Sequence, residues 1–197
     1  MAKARKAVAP VTRHQKTLTW AVNEIGTKEI PPGSNTGARV LWYQRNGTWL
    51  SGTGWPWCVA FANCAVRFGG GFDGLDRTAG AWDALARAGK KGWASTNPKV
   101  VMPGDLVVFN TGSGHIAVVE RVENDTVYSV DGNASDQVKR CERPLSSVKG
   151  FICWPEDGAQ KASARKPLMQ VVGGESGRRK LVVGPLKVRL PSVDKIT

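Results

Sequence analysis

Gly54-Trp55-Pro56-Trp57-Cys58-Val59-Ala60-Phe61-Ala62-Asn63-Cys64-Ala65-Val66-Arg67-Phe68-Gly69-Gly70-Gly71 is the stretch on which the fold turns. Cys58 to Phe68 is almost wholly apolar, Pro56 marks its entrance and three glycines stop it, so the pattern predicts a buried central helix. Cys58 then lies in the first turn, where free backbone N–H groups and the helix dipole favour a thiolate. A small buried cysteine would suit the same place for packing alone. A partner elsewhere in the chain decides between the two.

Upstream, Leu18, Ala21, Val22 and Ile25 recur at helical spacing after Thr17, and Gly26 closes the run, which predicts a helix over 17–25. A loop at Pro31-Pro32-Gly33-Ser34-Asn35 leads to a second short helix over 37–44. Downstream, Thr78 to Ala88 reads as a helix with Trp82, Leu85 and Ala86 on its inner stripe and Gly89 as its stop. After Pro103-Gly104 the period changes. Asp105 to Phe109, His115 to Val122, Thr126 to Asp131 and Gln137 to Cys141 are short runs divided by turn residues, the pattern of an antiparallel meander. Helices first and strands after make the class α+β, with the cysteine on a central helix packed against an antiparallel sheet.

The 197 residues have 41% apolar and 22% charged side chains, which excludes wholesale disorder and a fibrous repeat. No apolar run approaches the roughly 18–20 residues of a membrane-spanning helix. The net charge of +12 invites a nucleic-acid reading, so its distribution matters. Residues 1–19 hold five basic and no acidic side chains, 20–154 hold 14 and 12, and 155–197 hold 9 and 4. All eight Trp, both Tyr, all five Phe and all four Cys lie in the middle segment. The chain therefore divides into a basic arm over 1–17, a domain over 18–154 and a basic extension over 155–197. The basic residues flank the domain without interleaved aromatics, which argues against nucleic acid as the partner.

His115 follows Gly112-Ser113-Gly114 and opens a strand, where its ring can project into a cleft. If Val122 pairs with Thr126 around Glu123-Asn124-Asp125, His115 lies opposite Asn133 and Ala117 opposite Asp131. An amide or carboxylate there would hold one imidazole nitrogen and turn the other toward a thiol. A slip of one residue destroys the arrangement. For a metal the signals are poor. There is no C-x-x-C pair, the only histidines are His14 and His115, and no dense acidic loop accompanies Asp73 and Asp76, so neither metal nor cofactor is expected.

These residues resemble the CHAP domains, the cysteine, histidine-dependent amidohydrolases/peptidases of phage lysins and bacterial wall hydrolases. The resemblance runs over about 18–154. It is carried by Glu29-Ile30-Pro31-Pro32-Gly33-Ser34-Asn35, Gly54-Trp55-Pro56-Trp57-Cys58-Val59-Ala60-Phe61, Pro103-Gly104-Asp105-Leu106-Val107-Val108-Phe109, Gly114-His115-Ile116-Ala117-Val118-Val119 and Asp131-Gly132-Asn133. It implies a papain-like fold, Cys58 as nucleophile and His115 as base and acid. Members often carry Glu where Asp131 stands, so both Asp131 and Asn133 are candidates to orient the ring. The expectation adopted is Asn133 in direct contact and Asp131 in support.

The resemblance further implies cleavage of an amide bond in peptidoglycan. Asn35 and Tyr43, which precede the cysteine helix, are candidate oxyanion donors, and Trp55 and Trp57 are candidate walls of a substrate groove. Cys64, Cys141 and Cys153 are read as structural. The expected setting is a phage endolysin, made without a secretory signal in the host cytoplasm and acting at the cell wall. The alternative is a virion-associated protein whose domain opens the wall during infection. The basic ends would then hold the enzyme to virion proteins or to anionic wall polymers.

Overall fold

A computed structural model describes residues 10–156 and 161–165. The chain enters through α1 (Arg13–Asn23). Thr12 caps it in a reciprocal box, its Oγ1 accepting from the Gln15 N–H at 3.1 Å while Gln15 Oε1 accepts from the Thr12 N–H at 2.9 Å. That box starts the helix at Arg13, four residues before the expected first residue, Thr17, which is buried within it. Arg13 to Thr17 thus belongs to the domain and not to a basic arm.

Next come α2 (Ala38–Gly47) and α3 (Cys58–Cys64), and α3 runs on into a π-helical turn, Ala65–Gly69. Every residue of α3 is buried. Gly47 lets α2 cross it closely, since a Cβ there would sit 2.1 Å from the Ala60 carbonyl oxygen. In α4 (Ala81–Lys90) the inward residues are Ala81, Ala84 and Ala88, with Leu85 half-buried at the core's edge. Trp82, expected on the inner stripe, is 39% exposed. Gly89 does not stop the helix, which ends one residue later.

The strands are β1 (Ala94–Ser95), β2 (Leu106–Phe109), β3 (His115–Glu123), β4 (Thr126–Asp131), β5 (Lys139–Pro144) and β6 (Val148–Ile152). They form one antiparallel sheet in the order β1-β6-β2-β3-β4-β5. Strands β2 to β5 are the expected meander, and β6, which the sequence reading lacked, returns to the free side of β2. The fold is α+β, as its order of elements implies.

The sheet is covered on both faces. Leu106, Val108, Ile116, Val118, Val130 and Ile152 join the helices in the larger core cluster. Val107, Phe109, Ala117, Val119, Val127 and Phe151 form a second cluster with Val100, Val101 and Ala162. Double coverage explains why β2 and the Ile116–Val119 part of β3 read as unbroken apolar runs and not as alternation.

Ala162 belongs to the segment read as a basic extension, so that segment contributes to the domain. Its Arg165 closes a buried cluster. Arg165 Nη1 meets Asp105 Oδ2 at 2.6 Å, while His14 spans Asp105 Oδ1 at 3.1 Å and Glu156 Oε2 at 2.5 Å. His14 also stacks on Trp154, ring centroids 3.8 Å apart. The rest of the basic extension, 157–160 and 166–197, and the basic residues Lys3, Arg5 and Lys6 lie outside the described residues.

Candidate active site

Cys58 takes the first position of α3 and is 7% exposed. No side chain of the helix caps its own start, and the Cys58 N–H finds no acceptor among the described residues. The residue before it is held from outside. With the amide orientation that satisfies its neighbours, Asn133 accepts the Trp57 N–H at 3.0 Å and donates to Glu29 Oε1 at 3.2 Å.

His115 opens β3, and its ring stacks on Phe109, the residue paired with it across β2, with centroids 6.3 Å apart. Gly114 shapes the approach. A Cβ there would meet the Trp82 indole at 2.6 Å, and its φ of +96° suits glycine. His115 Nε2 bonds Asp131 Oδ2 at 2.8 Å, which leaves Nδ1 as the nitrogen for Cys58. The Asp131 carboxylate is fully buried and takes two further donors, Ser129 Oγ on Oδ1 at 2.6 Å and Arg143 Nη1 on Oδ2 at 2.6 Å.

The electrostatics follow from these contacts. Burial alone would lower the proton affinity of the imidazole, but its bonds to Asp131 and Cys58 outweigh that and raise it to about 9. Burial pushes the Asp131 carboxyl upward, and His115, Arg143 and Ser129 together bring it below its ordinary range. The result is an imidazole kept protonated at neutrality beside a thiol and anchored on an ionised carboxylate. This is the equipment of nucleophilic thiol chemistry with a built-in acid.

The structure rearranges several expected roles. Asn133 makes no hydrogen bond to His115. It lies past the end of β4 with φ of +60° and turns toward Glu29 and Trp57, and Asp131 takes the direct bond. Tyr43 is fully buried, stacks on Trp57 at 5.6 Å and donates its hydroxyl to Glu24 at 2.5 Å, so it is not free to donate to an oxyanion. Trp57 is also fully buried, with Nε1 on Glu29 at 2.9 Å, and walls no groove. Trp55 is half-buried at the edge of the core, and its carbonyl accepts from Gln44 at 2.8 Å. Asn35 is half-exposed, with its N–H on Glu29 Oε2 at 2.8 Å and its carbonyl taking Gln44 at 3.0 Å.

Three participants escaped sequence reasoning. Glu29, only 3% exposed, ties Trp57, Asn35 and Asn133 together. Its one visible signal was a lone acid opening an otherwise uncharged stretch, 29–37. Ser129 read as an ordinary strand residue and reaches Asp131 from two positions back on β4, while Arg143, beyond the expected end of the last strand, is brought there by the pairing of β4 with β5. The other cysteines are raised by burial first, with Asp131 adding to this at Cys141 and Asp105 at Cys153. Cys64 donates to the Tyr43 carbonyl, and burial pushes both it and Cys153 up to about 12, while burial also raises Cys141. Among the described residues, no group of three or more His, Cys, Asp or Glu is placed to hold a metal ion.

Residues 50–133 match the family model of the CHAP domain, a span that includes Cys58, His115, Asp131 and Asn133. Two solved structures to which the chain is similar are of one protein, "The crystal structure of Ly7917" and "The crystal structure of Ly7917 with the hydrolyzing product of MDP". The first is 18% identical with a TM-score of 0.46, over 73% of this chain and 62% of that one. The second is 16% identical with a TM-score of 0.44, over 71% and 62%. The chain therefore spans less than two thirds of the length of Ly7917. No curated protein matches the chain.

Proposed function

We propose that the chain, through its CHAP domain match at 50–133, is a peptidoglycan hydrolase that cuts an amide bond with Cys58 as nucleophile. The observation that carries this reading is the anchoring of His115 Nε2 on buried Asp131, which leaves Nδ1 for the thiol at the start of α3. The Cys58 thiolate attacks the carbonyl carbon, and the His115 imidazolium gives its proton to the departing amine, leaving a thioester. Neutral His115 then takes a proton from water, whose oxygen attacks the thioester carbon, displaces the Cys58 thiolate and releases the acid. The oxyanion of each tetrahedral stage is held by the Cys58 N–H and, in this reading, the Asn35 side chain; one such donor is worth about 2.7–4 kcal/mol.

The finer reading is a phage endolysin made in the host cytoplasm and acting at the cell wall, with a virion-associated enzyme as the alternative. Both take peptidoglycan as substrate, and neither requires a cofactor. The experiment is digestion of purified cell walls with the full chain, followed by mass spectrometry of the released ends. New amine and carboxyl ends that vanish with Cys58→Ala are expected. Unchanged digestion by Cys58→Ala, or no release by the native chain, overturns the proposal.

A further inference from the structure

Asp131 is held more elaborately than the orientation of one imidazole requires. The carboxylate is fully buried, and a single oxygen, Oδ2, serves both His115 Nε2 at 2.8 Å and Arg143 Nη1 at 2.6 Å. Ser129 fixes the other oxygen at 2.6 Å. Arg143 reaches this point from β5, where it pairs with Val127, and its guanidinium lies 4.7 Å from the centre of the Phe109 ring. That same ring stacks on His115. The guanidinium is thus fixed by a carboxylate on one side and an aromatic face on the other, and both are also neighbours of the imidazole.

We propose that Arg143 is a positioning residue for the reacting pair: by sharing Oδ2 with His115 it sets how strongly Asp131 holds the imidazolium. The inference rests on the reading of Cys58 and His115 as that pair. A cation on the shared oxygen draws off part of the charge that would otherwise act on His115. It also keeps a buried carboxylate ionised that burial alone would push toward the neutral acid. The charged and titratable groups around the pair are Cys58 on α3, Asp131 on β4, and Arg143, Cys141 and Lys139 on β5. The Lys139 ammonium turns away to Ser135 Oγ at 2.9 Å, so Arg143 is the cation on the carboxylate.

The test needs no substrate. His14 and His115 are the only histidines, so ring-nitrogen NMR of histidine-labelled full-length protein resolves His115 directly. In Arg143→Gln the midpoint of the His115 titration is expected to rise by about one pH unit. In Arg143→Lys, which restores the charge, it is expected to return most of the way to the native value. Should Arg143→Gln not fold, Arg143→Met, whose stem still covers Phe109, carries the same expectation. A midpoint that stays in place or falls when the cation is removed overturns the proposal. Wall digestion by Cys58→Ala judges the hydrolase reading separately, because the titration is read without hydrolysis.

Discussion

The His115 imidazole and the Asp131 carboxylate meet through Nε2 and Oδ2 at 2.8 Å, across two strands whose register brings β3 beside β4. Replacing the carboxylate by an amide keeps the volume and removes the charge. Asp131→Asn is therefore expected to fold, while its rate of wall digestion falls about a hundredfold, the size of a displaced general acid–base group. Release of soluble fragments from purified walls measures it. A variant within threefold of the native rate would assign the orienting role elsewhere.

The pH dependence follows from the sign of the His115 shift. Because the folded protein raises the imidazole to about 9, the imidazolium that supplies the leaving group with a proton persists through neutrality. It is lost as pH rises through that value, so kcat/KM is expected to fall on an alkaline limb near 9. An unperturbed histidine would place the limb near 6.5. The profile measured on wall fragments checks this, and Asp131→Asn should bring the limb down.

Thiol reactivity should single out one cysteine of the four. Cys64 and Cys153 are buried and held near 12, and Cys141 is raised as well, whereas Cys58 lies beside a protonated imidazole. Brief treatment with iodoacetamide near neutrality, followed by peptide mapping, is expected to label Cys58 at least tenfold ahead of Cys141. Labelling that begins at Cys141 would contradict the ion-pair arrangement.

How far the site can be read from sequence is clearest in the β3–β4 hairpin. The expected three-residue turn is in fact the pair Asn124-Asp125, both with positive φ, and Glu123 pairs with Thr126. A bulge at Glu120 then shifts the ladder by one, so that Val118 faces Val130. The shorter turn and the bulge offset each other and restore the register that a three-residue turn implies, and Asp131 and His115 come together for that reason. Cys58 and His115 were legible because their signals are local, an apolar helix after proline and a strand after glycines. Asn133, Tyr43 and Trp57 were misplaced because what decides them is packing between distant segments. Glu29 meets three of those segments at once, and β6 pairs 40 residues back on β2. Trp82 fits the inner stripe by period alone, yet alanines take that stripe and the indole is left to cover Gly114.

Glu29 is accordingly the residue whose loss should disturb the site without touching its chemistry. Its oxygens accept from the Trp57 indole, the Asn35 N–H and the Asn133 amide, three donors in a buried place. Glu29→Gln sets an NH2 group among those donors and leaves one of them unpaired, which costs about 1–3 kcal/mol. Urea unfolding of the variant is expected to show that loss, together with a lowered rate of Cys58 alkylation as Trp57 loosens. Unfolding at the native midpoint would mean that the network contributes nothing net.

The cluster of His14, Asp105, Glu156 and Arg165 makes the corresponding case at the opposite end of the sequence. Arg165 is 7% exposed and bonds Asp105, His14 and the Trp154 carbonyl, so it binds the residues after 160 to α1 and to the start of β2. Ending the chain at residue 160 removes the cation and leaves the fully buried Asp105 with His14 and the Met102 N–H. Breaking a buried pair from one side costs about 3–5 kcal/mol, a large part of a domain's stability. The shortened chain is expected to melt at least 5 °C lower, because roughly 1 kcal/mol moves the midpoint of a domain this size by 2–4 °C. Arg165→Ala in the full chain should reproduce most of that loss. If it melts with the native protein, the segment is held by Ala162 and its backbone bond to Gly92, and the buried charges are bystanders.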